Sequence, residues 1–276
     1  MMMLVAGGVQ AGTMHECLCD KYVIGTDTTP DTGIIIDTYL YGGSYANRNY
    51  GGSQTIYAGY FGGYGVMVSK QRVPLWGWRS PVTQMLDQGI PVGSTLNRVY
   101  FAVYSTTSSS GTFYLHQVLK RFVEGTANGS IQAGSCSYND WENPDNEWTI
   151  AGANCTDSSG NPITFNACDD GTCTAICADM DMDVVSSLAA GTGYKWFNIT
   201  SIVQPLWAAQ DTTSLFWKIR PAQGSTSTYG FRTCENSTVS CRPKISIEFT
   251  PPSTQEPTGN IKGNVEIKGN VEIKGN

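Results

Sequence analysis

Strand-like alternation recurs along the chain and limits what the chain can fold into. Bulky apolar side chains occupy every second residue of 99–104, 215–220 and 244–249, and runs of glycine, serine, proline or asparagine separate such segments. Successive side chains of an extended strand point to opposite faces of a sheet. One helix is expected at 198–207, where Pro205 should limit it to one or two turns. The pattern predicts an all-β protein, built as a sandwich or barrel.

The carboxyl end repeats a six-residue unit. Residues 261–276 contain two full copies and a remnant of the unit, and every apolar side chain falls on an odd-numbered position. Extended at about 3.3 Å per residue, this tail would be about 55 Å long, with one apolar and one polar face. The proline-rich linker 251–259 before it has the composition of a stiff, extended spacer. The apolar face carries the predicted donor-strand residues Ile261, Val265, Ile267, Val271 and Ile273.

No partner strand lies beside this tail in the sequence. We therefore expect it to leave its own domain and to be buried in a groove or sheet edge of a neighbouring molecule. Three other interpretations stay open. They are a β-solenoid, which needs at least three repeats, a hairpin at the Gly-Asn pairs, which would leave very short strands, and a disordered tail. The apolar residues 1–12 are an alternative donor segment.

Composition narrows the setting and the partners. The chain has 276 residues, 31 glycines and only 14% charged residues, as in secreted β-proteins with turn-rich surfaces. A net charge of −6 without a basic patch argues against a nucleic-acid partner. No apolar run reaches the length of a membrane span. The start of the N-terminal segment 1–33 is either a short first strand or the trimmed end of a secretion signal.

Nine cysteines indicate an oxidising, extracellular location, because paired C-x-x-C metal motifs are absent. An odd number leaves one thiol free or paired between chains. The stretch 136–183, rich in cysteine, asparagine, aspartate and glycine, is interpreted as a disulfide-pinned insertion on the sandwich. The disulfide candidates are Cys17, Cys19, Cys136, Cys155, Cys168, Cys173, Cys177, Cys234 and Cys241.

A series of short motifs runs through residues 34–250. They are, in order, Asp37-Thr-Tyr-Leu-Tyr, Asn49-Tyr-Gly-Gly-Ser, Ile56-Tyr-Ala-Gly, Phe122-Val-Glu-Gly, Tyr138-Asn-Asp-Trp, Trp196-Phe-Asn-Ile-Thr, the strand 215–220, Tyr229-Gly-Phe-Arg-Thr and Arg242-Pro-Lys-Ile-Ser-Ile-Glu-Phe. In kind and order these motifs resemble those of DNRLRE-type domains. The resemblance implies a jelly-roll-like β-sandwich of a secreted or cell-surface bacterial or archaeal protein. Such domains are usually non-catalytic modules and sometimes bind carbohydrate.

The chain departs from that family pattern in two places. The segment Val82-Thr-Gln-Met-Leu-Asp stands where the family has a strand that usually reads Arg-x-Leu-x-Arg-Phe, and the cysteine-rich insertion 136–183 is extra. The predicted organisation is thus an N-terminal segment 1–33, a DNRLRE-like sandwich 34–250 with its insertion, the linker 251–259 and the donor-strand-like tail 260–276.

Carboxylates in and near the insertion are candidates for structural calcium, because hard oxygen ligands on loops suit Ca²⁺. An alternative for the last three is the wet face of a strand whose methionines point inward. The candidate ligands are Asp140, Asp145, Asp179, Asp181 and Asp183. Four Asn-x-Ser/Thr sequons are candidate glycosylation sites in a host with the machinery. They are Asn128, Asn154, Asn198 and Asn236.

Catalytic signatures are missing from the sequence. The two histidines are His15, in the N-terminal segment, and His116, in a strand pattern that favours a core or surface role. No nucleophile elbow, phosphate loop or zinc motif occurs. We expect neither an active site nor a cofactor, apart from the candidate calcium.

Two functions fit these features. The first is a structural subunit of an extracellular, pilus-like fibre, whose copies join head-to-tail by β-strand addition through the C-terminal tail. The second is a secreted, non-catalytic carbohydrate-binding module, whose aromatic side chains would stack on sugar rings. Those aromatic residues would otherwise serve in the core and in subunit contacts, and they include Tyr39, Tyr41, Tyr45, Tyr50, Tyr57, Tyr60, Tyr64, Trp76 and Trp78.

Overall fold

The computed structural model describes residues 35–60, 71–142, 146–150, 153, 179–221 and 227–253, and the backbone of residues 12–18. Within this part strands are the main regular structure and only two α-helices occur, which confirms the all-β prediction. The strands are β1 (Gly12–Leu18), β2 (Ile35–Tyr41), β3 (Thr55–Tyr60), β4 (Gln71–Trp78), β5 (Thr95–Ser105), β6 (Thr112–Val118), β7 (Asp140–Glu142), β8 (Asn146–Glu147), β9 (Met180–Ala189), β10 (Gly193–Asn198), β11 (Leu215–Pro221), β12 (Thr228–Arg232) and β13 (Lys244–Thr250). The helices are α1 (Pro81–Asp87) and α2 (Thr200–Ala209).

Eleven strands form one antiparallel sheet that folds over on itself. The order is β1-β13-β5-β12-β3-β4-β11-β6-β9, with β10 also on β5 and β2 also on β4, while β7 and β8 form a separate hairpin. Phe101 of β5 faces Ile245 of β13 on one side and Phe197 of β10 on the other. Only the last residue of β5, Ser105, pairs with β12. The sheet turns a corner there, so that β1, β13, β5 and β10 make one layer and β2, β4, β11, β6 and β9 the other.

Aromatic rings join the two layers. The ring centroid of Phe101 lies 5.5 Å from that of Trp76 in β4 and 4.9 Å from that of Trp217 in β11, although β5 neighbours neither strand in the sheet. Alternation along each strand places these fully buried rings in the interior together with Trp78 and Phe231. The result is a β-sandwich-like architecture with one large core between its layers.

The outer face of the second layer is also buried. Ile36 and Leu40 of β2 and Val73 and Leu75 of β4 point away from the main core and form a second apolar cluster. Phe122, Cys136, Tyr138, Trp148 and Ala153 cover it. Strands of this layer therefore carry apolar residues on both faces, as strands covered on both sides do.

The strands predicted at 99–104, 215–220 and 244–249 are confirmed as β5, β11 and β13, each slightly longer than expected. The predicted helix is also present, but the expected limit of one or two turns is wrong. Helix α2 runs for ten residues through Pro205. Its inner side is held by tertiary contacts, because Val203 and Trp207 are buried and the indole of Trp207 donates a hydrogen bond to the carbonyl of Ser94 at 2.7 Å. These contacts outweigh the one backbone bond that proline removes.

The segment 82–87, expected as a degraded strand, is the helix α1. Pro81 occupies its first turn, where a fixed φ and a missing N–H suit a helix. Val82 and Met85 are buried on one side of it. In six residues of mixed polarity, the two-residue period of a strand cannot be told from the 3.6-residue period of a helix. The strand that the family resemblance predicted here is therefore wrong.

The predicted insertion 136–183 is described only at its two ends. Residues 136–142, 146–150 and 153 lie over the second layer, and β9 begins at Met180. The prediction that disulfides pin this insertion stays a prediction. No helix in the described ranges is long and apolar enough to cross a membrane.

Truncating the most buried interlayer ring should destabilise the sandwich strongly. We expect Trp217→Ala to lower the free energy of unfolding by about 3–5 kcal/mol, because it opens a large cavity in the core. The matched control Trp196→Ala, whose ring is 41% exposed on β10, should change it by less than about 1 kcal/mol. Chemical denaturation followed by tryptophan fluorescence and circular dichroism measures both, and equal losses would contradict the assignment of the core.

Candidate functional site

The turn at residues 49–54, which we call the Asn49 turn, organises one end of the sandwich. Asn49 is buried, and its amide Nδ2 donates hydrogen bonds to the backbone carbonyls of Glu124 at 2.5 Å and Cys136 at 3.0 Å. Its Oδ1 accepts hydrogen bonds from the backbone N–H groups of Gly51 at 3.1 Å and Ala127 at 3.2 Å. One side chain thus fixes both its own turn and a loop some 75 to 87 residues further along the chain.

Two glycines of the Asn49 turn allow the loop 122–127 to approach it closely. A Cβ on Gly51 would lie 2.3 Å from the carbonyl oxygen of Glu124, and a Cβ on Gly52 would lie 2.3 Å from that of Thr126. Either contact is far inside van der Waals distance and involves backbone, which cannot move aside. The Asn-Tyr-Gly-Gly motif is therefore a docking surface for residues 122–127.

The same turn also holds the segment that follows β12. The hydroxyl of Thr233 donates to the carbonyl of Ser53 at 2.6 Å, and the amide of Asn236 donates to the carbonyl of Gln54 at 3.0 Å. Two segments distant in sequence, 122–127 and 233–236, are thereby brought beside β2.

Three carboxylates meet where these segments join. One oxygen each from Asp37, Glu124 and Glu235 lies within 4.8 Å of the other two, and we call this group the carboxylate cluster. Asp37 is fully buried and Glu124 is 5% exposed, whereas Glu235 is the most open of the three. Within the ranges described, this is the one group of three or more metal-capable side chains.

Backbone donors fix one side of the cluster. The N–H of Asp37 points away from β4 and donates to Oε1 of Glu124 at 2.7 Å. This bond satisfies a backbone donor on the side of β2 that faces away from β4. The N–H of Cys234 donates to Oδ2 of Asp37 at 2.8 Å. The remaining oxygens Oδ1 of Asp37 and Oε2 of Glu235 are buried and have no hydrogen-bond donor among the described residues.

Burial makes negative charge unfavourable in the cluster. Desolvation raises the pKa of Asp37 well above its usual range, and the charge of Glu235 raises it further. Desolvation likewise raises the pKa of Glu124, with the charges of Asp37 and Glu235 adding to the effect. The pKa of Glu235 is also raised, chiefly by burial. Three such acids need a proton or a cation to share the site.

The sequence prediction missed this cluster. Asp37 and Glu124 lie inside motifs that carry the family resemblance, and Glu235 follows another such motif by two residues. An acid in the apolar run Ile-Ile-Ile-Asp-Thr-Tyr-Leu was a usable signal, because a strand buried on both faces leaves no solvated position for it.

A buried basic group lies elsewhere, under residues 119–153. The ammonium of Lys218 in β11 is fully enclosed and donates to the carbonyl of Ala153 at 2.5 Å. Burial first, and the charge of Arg220 second, lower the pKa of Lys218 to about 7, while the charge of Asp179 opposes this shift. Arg220 donates from Nε to Nε2 of His116 at 2.7 Å, and His116 is fully buried, which confirms the expected core role.

Tyrosines form a closed cluster at the end of β2. The rings of Tyr39 and Tyr50 stack at 4.3 Å, those of Tyr41 and Tyr45 stack at 4.6 Å, and the guanidinium of Arg72 lies 4.4 Å from the ring of Tyr41. These rings cover one another, and only Tyr45 reaches 36% exposure. Trp76 and Trp78, considered as sugar-stacking residues, are fully buried in the main core, so neither can hold a sugar ring.

A sheet edge accepts an added strand. Strand β13 has β5 on one side and β1 on the other, and β1 pairs with it antiparallel from Gly12 opposite Phe249 to Leu18 opposite Lys244. Sixteen residues, 19–34, separate β1 from β2 in the sequence. The sandwich 35–250 therefore offers an edge at β13 that a strand from outside this range fills.

A cleft of about 350 Å³ lies between residues 92–96 and α2. Its lining includes Leu96, Gln204 and Trp207 and contains no acid, base or thiol. Its polar side chains are the hydroxyls of Ser94 and Thr95 and the amides of Gln204 and Gln210.

The structure does not gather the predicted calcium ligands. Asp140 accepts a hydrogen bond from Ser137 at 2.9 Å, and Asp179 pairs with the ammonium of Lys120 at 3.1 Å. Asp181 accepts from the N–H of Asp183, and Asp145 lies outside the described residues. Hydrogen bonds and an ion pair engage the carboxylates of Asp140, Asp179 and Asp181, and no three of the described candidates come together, so the calcium prediction finds no support at these positions.

The predicted glycosylation sites differ in access. Asn128 and Asn198 are exposed. Asn236 is 3% exposed and its amide donates a hydrogen bond to the carbonyl of Gln54, so in the folded chain it is the least accessible of the described sequons, and glycosylation there stays a prediction. Asn154 lies outside the described residues.

The cysteines are only partly described. Cys234 is disulfide-bonded, Cys136 is buried, and Cys241 is a free thiol with partial exposure. Cys17 lies in β1 and His15 beside it, where only the backbone is described. The other cysteine candidates Cys19, Cys155, Cys168, Cys173 and Cys177, and the donor-strand residues Ile261, Val265, Ile267, Val271 and Ile273, lie outside the described residues.

No protein-family model matches the chain, and no curated protein matches it.

Removing the Asn49 side chain should weaken the whole end of the sandwich. We expect Asn49→Ala to lower the free energy of unfolding by about 2–4 kcal/mol, because the buried carbonyls of Glu124 and Cys136 lose their donor. Asn97→Ala is the control, since Asn97 bonds the Thr250 hydroxyl at an exposed position and should cost less than about 0.5 kcal/mol. Urea denaturation measures both variants. A loss below about 1 kcal/mol at Asn49 would show that the turn does not depend on this side chain.

Lys218 should make stability depend on pH in the alkaline range. Its pKa is about 7 in the folded chain against 10.5 in its ordinary state, so between these values the unfolded chain holds a proton that the folded chain releases. The free energy of unfolding should therefore rise with pH from about 7, with a slope of at most about 1.4 kcal/mol per pH unit, and level off above about 10.5.

The substitution Lys218→Met should remove this rise relative to the wild type, whereas Lys195→Met, on partly exposed β10, should retain it. Urea denaturation across this pH range measures the difference. An unchanged pH profile in Lys218→Met would contradict the depressed pKa.

Proposed function

We propose that this protein is a structural subunit of an extracellular fibre, in which copies join head-to-tail by β-strand addition. The C-terminal tail 260–276 of one copy would pair with a sheet edge of the next copy. A contact of this kind does not close on itself unless its rotation forms a ring, so it propagates. The linker 251–259 would set the spacing between copies.

The observation that carries this proposal is the pairing at β13. That edge already takes a strand, β1, which reaches it across a connection of sixteen residues. The edge is thus suited to strand addition. A tail with five apolar side chains on one face could replace β1 there or pair beyond it, with its apolar face turned to the core.

Other features agree with a secreted, non-catalytic role. The cleft beside α2 lacks titratable side chains, and Cys234 is disulfide-bonded, as is usual in oxidising compartments. The corner at Ser105, where β5 passes from one layer to the next strand pair, agrees with a jelly-roll-like course of the chain, as the resemblance to DNRLRE-type domains implies.

The carbohydrate-binding alternative has less support. Its proposed aromatic platform loses Trp76 and Trp78 to the core, and Tyr39, Tyr41 and Tyr50 are each less than 10% exposed. Among the members whose side chains are described, only Tyr45 and Tyr57 are partly open, which is a small area for a stacking platform.

Deleting residues 260–276 should convert fibres into soluble monomers, because the donor strand is lost while the sandwich remains. Light scattering and electron microscopy of purified protein measure the outcome.

Two pairs of point variants sharpen the test. Ile267→Lys with Val271→Lys places charges on the apolar face and should also abolish fibres, whereas Lys268→Gln with Glu272→Gln alters only the polar face and should leave them intact.

Fibres that persist after the deletion would refute the tail as donor. Deletion of residues 1–18 then tests the alternative donor segment. Monomers from the wild-type chain at high concentration would refute the fibre itself.

A further inference from the structure

Among the described residues, no ion pair joins a basic side chain to the carboxylate cluster. Asp37 lies on the same face of β2 as Ile35 and Tyr39, which line the main core, so water does not solvate it. Arg79 and Arg242 are near enough to oppose the raised pKa values of Glu124 and Glu235, respectively, but burial outweighs both. Buried carboxylates normally pair with a cation or coordinate a metal.

The orientation of the oxygens indicates what kind of counterpart fits. Backbone N–H groups hold Oε1 of Glu124 and Oδ2 of Asp37. Oδ1 of Asp37, on a fully buried residue, and Oε2 of Glu235 have no donor in the part of the chain that is described. Each of these two carboxylates thus has an oxygen available for a ligand.

The spacing of the oxygens is compatible with a single divalent cation. Opposite oxygens around Ca²⁺, each about 2.4 Å from the metal, lie about 4.8 Å apart, and one oxygen from each of the three carboxylates falls within 4.8 Å of the others. Calcium accepts irregular sets of oxygen ligands from flexible loops and completes its shell with water or carbonyl groups. The more open position of Glu235 gives such an ion a route from solvent.

We propose that Asp37, Glu124 and Glu235 form a binding site for one divalent cation of the calcium type. The ion joins three segments that are remote in the sequence: the edge strand β2, the loop 122–127 and the turn 233–236. The bound ion offsets the repulsion between the three carboxylates, which serve as its ligands. It therefore stabilises the end of the sandwich that the Asn49 turn assembles. The site differs from the one predicted at 140–183 and stands independently of fibre formation.

Calcium titration of the full-length chain tests this site. After treatment with a chelator and dialysis, isothermal titration calorimetry with Ca²⁺ alone should show one site, with a dissociation constant of about 10⁻⁴ M, as in extracellular calcium modules. The midpoint of thermal unfolding should rise by about 5 °C at a hundredfold excess over the dissociation constant. Absence of both effects in the wild-type chain would overturn the proposal and leave proton sharing between the acids as the explanation.

Matched variants locate the site. Glu235→Gln changes the least buried ligand and should weaken calcium binding at least tenfold while leaving the circular dichroism spectrum unchanged. Glu147→Gln, an exposed carboxylate beside the sequence-predicted ligands, should bind as the wild type does. Asp37→Asn should abolish binding if it folds. Unchanged affinity in Glu235→Gln, or a loss confined to Glu147→Gln, would refute the assignment.

Discussion

The structure depends on the hydrogen bonds of one buried side chain, Asn49. Its amide supplies donors and an acceptor to backbone groups of the loop that follows β6, and two glycines beside it let that loop come within contact of the turn. The same turn holds the segment after β12 through Ser53 and Gln54. Buried amides are suited to this role because they satisfy donors and acceptors at once. Backbone hydrogen bonds such as the one from Gly52 to Ala127, and the packing of Phe122 on Ile36 and Leu40, hold the same loop beside this anchor.

That loop in turn decides the character of the second layer. Phe122, Tyr138 and Trp148 cover Ile36, Leu40 and Leu75, so the layer is buried on both faces and any polar group within it must find a partner. Lys218 finds the carbonyl of Ala153, and Arg220 finds His116. The carboxylate cluster is the place where the same burial leaves acids without donors. The buried charged groups of the molecule thus follow from the covering of the second layer on both of its faces.

Much of the fold could be predicted from periodicity, and the candidate site could not. Alternation located β5, β11 and β13 because a strand with one buried face repeats every two residues. The strand expected from the family resemblance at 82–87 is wrong, because α1 is too short to show its period. The limit that Pro205 was expected to set on α2 is also wrong, because the length of α2 rests on the packing of Trp207 under Ser94. Asp37, Glu124 and Glu235 are each separated by 87 or more residues. Their convergence follows from contacts of the Asn49 turn that no local pattern contains.

The sequence by itself determined the all-β class, the positions of the main strands and the one-sided character of the repeat tail, because these follow from which neighbouring side chains share a face. Tertiary structure alone decided which aromatic rings are enclosed, that the side chain of Asn236 is buried, and where negative charge accumulates. Trp78 and Tyr45 are both aromatic residues in turn-rich surroundings, yet one is fully buried and the other open. Burial is set by the chain segments that fold over a residue, and long-range backbone hydrogen bonds choose those segments.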